Sequence, residues 1–148
     1  MEQTSKEPKF MVRVRAIIFY KNKLFVLRVG NNTNYALPGG HLEYKENVIE
    51  CLKREIVEEL GVEPKVGRLL YVNNFIEESR MHHSVEFFFE VTNGEDYLDI
   101  NNLKGSHSFE VSNLSWVGKE DKPFVLPKQL QIDLENGTIL SDNIRFIK

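Results

Sequence analysis

The segment from Asn47 to Leu60 constrains the fold most strongly, because it combines helical periodicity with signals for both helix ends. Its apolar residues recur at helical spacing and form one stripe, made of Val48, Ile49, Leu52, Ile56 and Leu60. Asn47, followed three residues later by Glu50, predicts a capping box, and Gly61 suits the left-handed position that ends a helix. The sequence therefore predicts an amphipathic helix that packs its apolar stripe on a core.

Three carboxylates, those of Glu55, Glu58 and Glu59, share one face of this predicted helix, since residues three and four apart are neighbours on a helical surface. Like charges so placed repel by about 0.2–0.5 kcal/mol per pair. The three residues lie largely off the apolar stripe, so we expect them to face outward from the core side. Spacing alone leaves two interpretations open, a solvated acidic face and a site for a hard divalent metal ion.

Segments rich in β-branched and aromatic residues flank the helix and predict a sheet. A hairpin is predicted from residues 10–20 and 23–29, around a turn at Lys21 and Asn22. Further strands are predicted at 66–76, 84–92, 114–117 and 144–147, and a weaker helix at 127–135. Residues 35–37 read as a short extended piece that Pro38, Gly39 and Gly40 end, and residues 30–34 and 101–108 read as loops. This pattern predicts an α/β or α+β protein with a mixed sheet covered by helices.

Composition predicts one globular domain spanning residues 1–148, with loose residues at 1–9. The chain is 41% hydrophobic, which is enough for a real core, and its single cysteine, Cys51, predicts a buried filler without an internal disulfide. A formal net charge of −3 argues against a nucleic-acid partner. No apolar run reaches the roughly 18 residues that span a bilayer, and the start lacks a signal-peptide core. We therefore expect a cytoplasmic protein with no membrane partner.

The segment from Gly40 to Val62 carries a longer pattern. It reads Gly40, five residues, Glu46, seven residues, then Arg54-Glu55-Ile56, one residue, Glu58-Glu59, one residue, Gly61-Val62. This segment resembles the signature box of the Nudix hydrolases at every specified position. Residues 24–28 and 35–40 resemble the strand and approach that precede the box, and residues 114–117 show a weaker likeness. The specific match thus covers the box and its approach rather than the whole chain.

The resemblance implies an α/β/α sandwich around a mixed sheet, and hydrolysis of a nucleoside diphosphate linked to another group X. It implies Mg²⁺ or Mn²⁺ as cofactor, a small nucleotide as substrate, and it allows a homodimer. Glu58 and Glu59 are implied as metal ligands, with the backbone carbonyl of Gly39 completing the shell. Glu55 is implied either as a further ligand or as the group that orients the attacking water.

Residues around these glutamates are assigned by the same resemblance. Arg54 and Glu46 are expected to pair and to brace the loop against the helix. Outside the box, Glu110 is the candidate general base, and Glu86 and His107 are weaker candidates. Three residues are candidates for substrate binding, with strand-surface or core packing roles as the competing interpretation: Arg28, Tyr35 and Phe75.

Two alternative functions remain open from the sequence. One is a nucleotide-sensing module that keeps the fold without catalysis, although this chain retains every glutamate of the box. The other is a pyrophosphohydrolase acting on the 5′ end of RNA, which the net charge disfavours. Glu78 and Ser79 stand where subfamilies acting on dinucleoside polyphosphates or ADP-ribose tend to carry a Tyr or a Pro. The size of the chain suits a nucleoside triphosphate or a small nucleotide derivative, and group X stays open.

Overall fold

Seven strands and two α-helices build the fold, and the computed structural model describes residues 7–147. The elements in chain order are β1 (Lys9–Tyr20), β2 (Lys23–Val29), β3 (Gly39–His41), α1 (Val48–Leu60), β4 (Val66–Glu77), β5 (His82–Val91), β6 (Val111–Val117), α2 (Lys128–Asn136) and β7 (Arg145–Ile147). Single 3₁₀ turns lie at Glu78–Arg80, Gly94–Tyr97, Ile100–Asn102, Ser108–Glu110 and Lys119–Asp121. Within the described range no helix has the length and apolar character needed to cross a membrane.

The sheet is mixed and runs in the order β6-β2-β1-β5-β4-β7, with β3 added beside β1. β1 pairs in parallel with β5, and β4 pairs in parallel with β7, while the other neighbours are antiparallel. The predicted hairpin is confirmed, because Phe19 lies opposite Leu24 and Tyr20 opposite Lys23. β1 is therefore the central strand, with β5 along one edge and both β3 and β2 along the other.

The two faces of the sheet bury separate cores, because side chains alternate between faces along each strand. On one face, alternate β1 residues pack with the apolar stripe of α1, including Val14, Ala16, Leu52 and Ile56. On the other face, Ile17 of β1 belongs to a second core that contains Leu130 and Leu134 of α2. This arrangement confirms the predicted α/β/α sandwich with a mixed sheet.

Helix α1 forms as its end signals predict. The Asn47 side chain accepts hydrogen bonds from the backbone N–H groups of Ile49 (3.0 Å) and Glu50 (2.9 Å), and the Glu50 carboxylate accepts one from the Asn47 N–H (3.2 Å). Gly61 follows the last turn with φ of 76°, in the left-handed region. The buried Cys51 confirms its predicted packing role. Burial also raises the pKa of the Cys51 thiol to about 12, so it stays protonated.

Some predicted boundaries are wrong, and the reasons are local. Gly39 and Gly40 do not end an extended piece but lie inside β3, because their backbone pairs with Arg15 and Val14 of β1. β6 begins at Val111 rather than at residue 114, since it pairs with β2 along that length. The loose segment predicted at 1–9 falls partly outside the described residues, at positions 1–6, and Lys9 already pairs with β5.

Candidate active site

The acidic face of α1 is turned toward β3 rather than toward solvent. The Glu59 side chain is only 5% exposed, and its carboxylate accepts a hydrogen bond of 3.2 Å from the Gly39 N–H. The side chains of Glu55 and Glu58 are 13% and 25% exposed. The expectation that all three glutamates face outward is therefore wrong. The helix lies over the sheet next to the short β3 strand, so its acidic face meets glycine backbone.

The β3 backbone approaches these carboxylates at two glycines. A Cβ atom on Gly40 would overlap the carboxylate of Glu55. A Cβ atom on Gly39 would overlap the carbonyl of Val14, and the Gly39 φ of 152° also favours glycine. The two glycines therefore allow the backbone of β3 to approach the glutamates closely.

Arg54 connects the loop before α1 to the acidic face. Its Nε and Nη2 donate to the two carboxylate oxygens of Glu46 at 2.7 and 3.0 Å, a bidentate pair. These hydrogen bonds lower the pKa of Glu46 to about 2. The Nη1 of Arg54 reaches Glu55 at 3.0 Å and Glu58 at 3.3 Å. The guanidinium group thus orients three carboxylates at once, and Glu46 compensates its charge.

Glu59 is the most deeply buried carboxylate of the cluster. Burial raises the pKa of its carboxyl group to about 8. The Gly39 N–H and the charge of Arg15 oppose this rise, whereas the charges of Glu55 and Glu110 add to it. A second cation near Glu59 would therefore be favourable, because it would stabilise a carboxylate that the fold has taken out of water.

The loop that precedes β6 docks on the end of α1, on the same face of the sheet. The backbone N–H of His107 donates to the carbonyl of Glu58 at 2.7 Å, and its ring Nδ1 lies 3.2 Å from the Glu58 carboxylate. A Cβ atom on Gly105 would overlap the same carbonyl, so this docking needs glycine. The loop continues into the turn Ser108–Glu110, which brings the exposed Glu110 close enough to influence Glu59.

A cleft of about 1270 Å³ opens on the α2 face of the sheet. Its lining includes the cationic side chains of Arg13, Arg15 and Lys128, and the carboxylate of Glu86. Burial, followed by the charge of Arg15, lowers the pKa of Arg13. Arg15 links the cleft to the acidic face, since its Nη1 donates to the carbonyl of Leu37 (3.3 Å), two residues before Gly39. The lining therefore carries more cationic than anionic side chains, which suits an anionic ligand.

Comparison with known proteins decides the family. A model of the NUDIX domain matches residues 9–136. The chain belongs to the Nudix family. It is 36% identical to an ADP-ribose pyrophosphatase of Methanocaldococcus jannaschii, over 62% of this chain and 63% of the relative. It is 30% identical to a probable DHNTP pyrophosphohydrolase of Lactococcus lactis, over 54% of this chain and 52% of that relative. The chain thus spans less than two thirds of either relative.

A solved structure shows the same Nudix fold. The crystal structure of a MutT NUDIX hydrolase from Burkholderia pseudomallei superposes with a TM-score of 0.68, at 23% identity, covering 86% of this chain and 97% of the other. At this identity the likeness supports the fold alone. The Nudix box predicted from residues 40–62 therefore lies within a complete sandwich of the expected kind.

The donor set of this Nudix box fits a hard divalent cation by its chemistry. Glu55, Glu58 and Glu59 offer carboxylate oxygens, which Mg²⁺ and Mn²⁺ prefer, and Gly39 adds a backbone carbonyl. Within residues 7–147 no three acidic, histidine or cysteine side chains already stand in a metal-holding arrangement. In this structure the carboxylates accept hydrogen bonds instead, Glu59 from the Gly39 N–H and Glu55 and Glu58 from Arg54. Glu46 already compensates the charge of Arg54, so this guanidinium leaves little positive charge for Glu55 and Glu58.

The candidates outside the box lie in different places. Phe75 and Glu86 both line the cleft. Arg28 and Tyr35 do not, because the Arg28 guanidinium stacks on the Tyr35 ring at 4.7 Å. The structure therefore does not bring these two residues to the cleft, and their substrate role is not supported by their position. Glu110 and His107 lie beside the cluster, as described above.

Sequence reasoning missed one member of the cleft. Asn73 is 5% exposed, lies directly opposite Glu86 in the sheet, and donates to its carboxylate at 3.0 Å. In the sequence, Asn73 is a polar residue that shares one face of the predicted strand with the aromatic Tyr71 and Phe75, and this pattern could have indicated a polar position in the site. A buried amide and carboxylate at facing strand positions indicate a polar floor in this cleft.

Proposed function

We propose that this chain is a hydrolase that cleaves the pyrophosphate linkage of a nucleoside diphosphate linked to a group X, with Mg²⁺ or Mn²⁺ as cofactor. One observation carries the proposal. Glu55 and Glu59 of the box meet the glycine backbone of β3, and Arg54 joins Glu55 to Glu58. Arg15 connects this group to a cleft with cationic side chains that is large enough for a nucleotide. Two curated relatives, named as a pyrophosphatase and a pyrophosphohydrolase, support the reaction class.

The bound cation would screen the diphosphate charge and acidify the attacking water. Glu58 and Glu59 are proposed to hold it, together with the Gly39 carbonyl. Glu55 is a further ligand or orients the water, and its contact with Arg54 fixes its position in either role. A rigid helix supplies these groups in constant relative geometry, which a flexible loop would not.

The groups around this centre are proposed to bind the phosphates, to orient the glutamates and to accept a proton from the attacking water. Arg15 and Arg13 attract the phosphates from the cleft side. Glu110, exposed on the loop that docks on α1, is the proposed general base, because its carboxylate is open to a water at the edge of the cluster. Arg54 and Glu46 position the glutamates without reacting.

The proposal also covers the domain organisation, the cellular location and the partners of the chain. The chain is proposed to act as one Nudix domain on a small nucleotide substrate in the cytoplasm, without a nucleic-acid or membrane partner. A homodimer stays a prediction from the family resemblance.

A substrate panel tests the proposal. Nucleoside triphosphates, dinucleoside polyphosphates and nucleotide sugars are incubated with Mg²⁺ or Mn²⁺, and phosphate and pyrophosphate are measured separately. We expect turnover of at least one compound, and a loss of at least about tenfold in Glu58→Gln. Glu63→Gln serves as the matched control, since Glu63 follows the same helix but is 71% exposed. Absence of turnover across the panel, with tight nucleotide binding, would favour the non-catalytic module instead.

A capped-RNA or triphosphorylated RNA substrate distinguishes the remaining alternative. We expect free nucleotides to be hydrolysed faster than RNA 5′ ends, because the cleft cations are few and the formal net charge of the chain is −3. A preference for RNA ends would replace the proposed substrate class while keeping the reaction.

A further inference from the structure

The floor of the cleft carries three connected polar side chains beneath apolar walls. Glu86 and Asn73 are 7% and 5% exposed and face each other across β5 and β4. The Asn73 side-chain amide donates to Glu86 Oε1 at 3.0 Å, and Arg15 Nε donates to Glu86 Oε2 at 3.1 Å. Buried polar groups reduce stability unless they are paired, and these three side chains pair with one another beneath an open cleft.

Hydrogen-bonding capacity fixes what this floor offers. A carboxylate paired with a guanidinium has only acceptor oxygens, so the Asn73 amide must direct its NH₂ toward Glu86. The Asn73 Oδ1 is then left as an acceptor. The Asn73 Oδ1 and the two Glu86 oxygens can each accept two hydrogen bonds. Arg15 and Asn73 each donate one hydrogen bond to a different Glu86 oxygen, so each of these two oxygens can accept one more. The floor therefore presents neighbouring acceptors, with the guanidinium donors of Arg15 and Arg13 beside them.

The walls suit a flat ring. Phe75 and Ile132 line the cleft and are 42% and 38% exposed. Phe75 lies two residues after Asn73 on the same strand, so both side chains project to the same face of the sheet. An aromatic heterocycle entering the cleft would contact apolar walls while its edge reaches the floor.

We propose that this floor selects nucleotides whose base presents two adjacent N–H donors next to an acceptor oxygen, the edge of the guanine type. The ring N–H and the amino group would donate to Glu86 and Asn73, and the neighbouring carbonyl oxygen would accept from an arginine. Adenine offers an amino group beside ring acceptors, and uracil offers one N–H between two carbonyls, so each leaves floor acceptors unpaired. This inference rests on the proposed function only in that it concerns the substrate of the same site.

Equilibrium binding separates this inference from catalysis. Calorimetry with Mg²⁺ compares three diphosphates, GDP, IDP and ADP, of which IDP differs from GDP only by lacking the amino group. We expect GDP to bind about 10- to 100-fold more tightly than IDP or ADP, since each competitor leaves a buried acceptor unpaired. The comparison uses the wild-type protein, so it does not depend on any variant folding.

Variants then assign the preference to the floor. Asn73→Leu and Glu86→Gln should each bring the GDP-to-IDP ratio toward one, with folding checked by circular dichroism. Ile132→Ala is the matched control, because it alters a wall and should weaken all three ligands alike.

Each outcome decides between the two ideas. Equal affinities for the three diphosphates, or no binding of any, would overturn the base-selection inference. A preference for GDP without turnover of any nucleotide would support that inference and refute the proposed hydrolysis. Turnover of a nucleotide without a preference for GDP in binding would support the proposed hydrolysis and refute the base-selection inference.

Discussion

Glu59→Gln should remove much of the pH dependence of folding stability in the metal-free protein. In the folded chain the Glu59 carboxyl keeps its proton up to a pKa of about 8, while its ordinary value is 4.5. The folded state therefore binds more protons across this window, so stability falls as pH rises from 4.5 to 8. A gap of about 3.5 pH units at about 1.4 kcal/mol each gives a ceiling of about 5 kcal/mol. Local relaxation lowers this, and we expect about 2–4 kcal/mol.

Urea unfolding with a chelator, between about pH 5 and about pH 8, measures this effect. Wild type and Glu63→Gln should lose stability in parallel as pH rises, whereas Glu59→Gln should lose about 2–4 kcal/mol less. Mg²⁺ should stabilise the wild type more at the higher pH, because a ligand must lose its proton to bind a metal. If all three proteins show the same pH slope, the buried, proton-holding role of Glu59 is wrong.

Three further variants test separate contacts. Gly40→Ala should lower turnover by about 10²-fold with an unchanged circular dichroism spectrum, because the added Cβ displaces the Glu55 carboxylate. Full activity would contradict the close approach of the β3 backbone to Glu55. Arg54→Lys should lower turnover or metal affinity by about 10- to 100-fold, since lysine cannot make the two parallel hydrogen bonds to the Glu46 carboxylate. Steady-state kinetics against Mg²⁺ concentration measure this loss, and kinetics equal to those of the wild type would reject the bracing role of Arg54. Asp133→Asn should lower the free energy of unfolding, measured in urea, by about 3–5 kcal/mol, because it breaks the buried ion pair between Asp133 of α2 and Arg145 of β7. A loss below about 1 kcal/mol would show that this ion pair contributes little to stability.

The elements that the sequence predicted best are those with local signals. Helix α1 has its apolar stripe, its capping box and Gly61 within one segment, so its bounds follow from adjacent residues. β1 and β2 likewise follow from alternation and a turn at Lys21 and Asn22, both of which have positive φ. The family pattern between residues 40 and 62 was also local, and the domain match confirms the family.

The features that the sequence did not predict depend on contacts between distant segments. Gly39 and Gly40 look like turn residues, and only their pairing with β1 makes them a strand. Glu59 lies off the apolar stripe, yet β3 buries it, so its burial could not be inferred from α1 alone. The contact of His107 with Glu58 joins segments far apart in sequence.

The cleft floor shows the same limit. Asn73 and Glu86 were unremarkable polar residues in strands until the register placed them opposite each other. Register depends on the whole sheet, whereas alternation gives only the face of each residue. The stacking of the Arg28 guanidinium on the Tyr35 ring likewise joins two segments that the sequence does not connect, and their substrate role stays a prediction.

The central claim, that the acidic face of α1 holds a divalent cation, is tested most directly by Mn²⁺ binding. Electron paramagnetic resonance of free Mn²⁺ gives the affinity of the wild type, Glu58→Gln and the exposed control Glu63→Gln. We predict saturable binding by wild type and control, and an affinity at least about tenfold weaker in Glu58→Gln. Equal Mn²⁺ affinity in all three proteins would contradict the assignment of this face as the metal site.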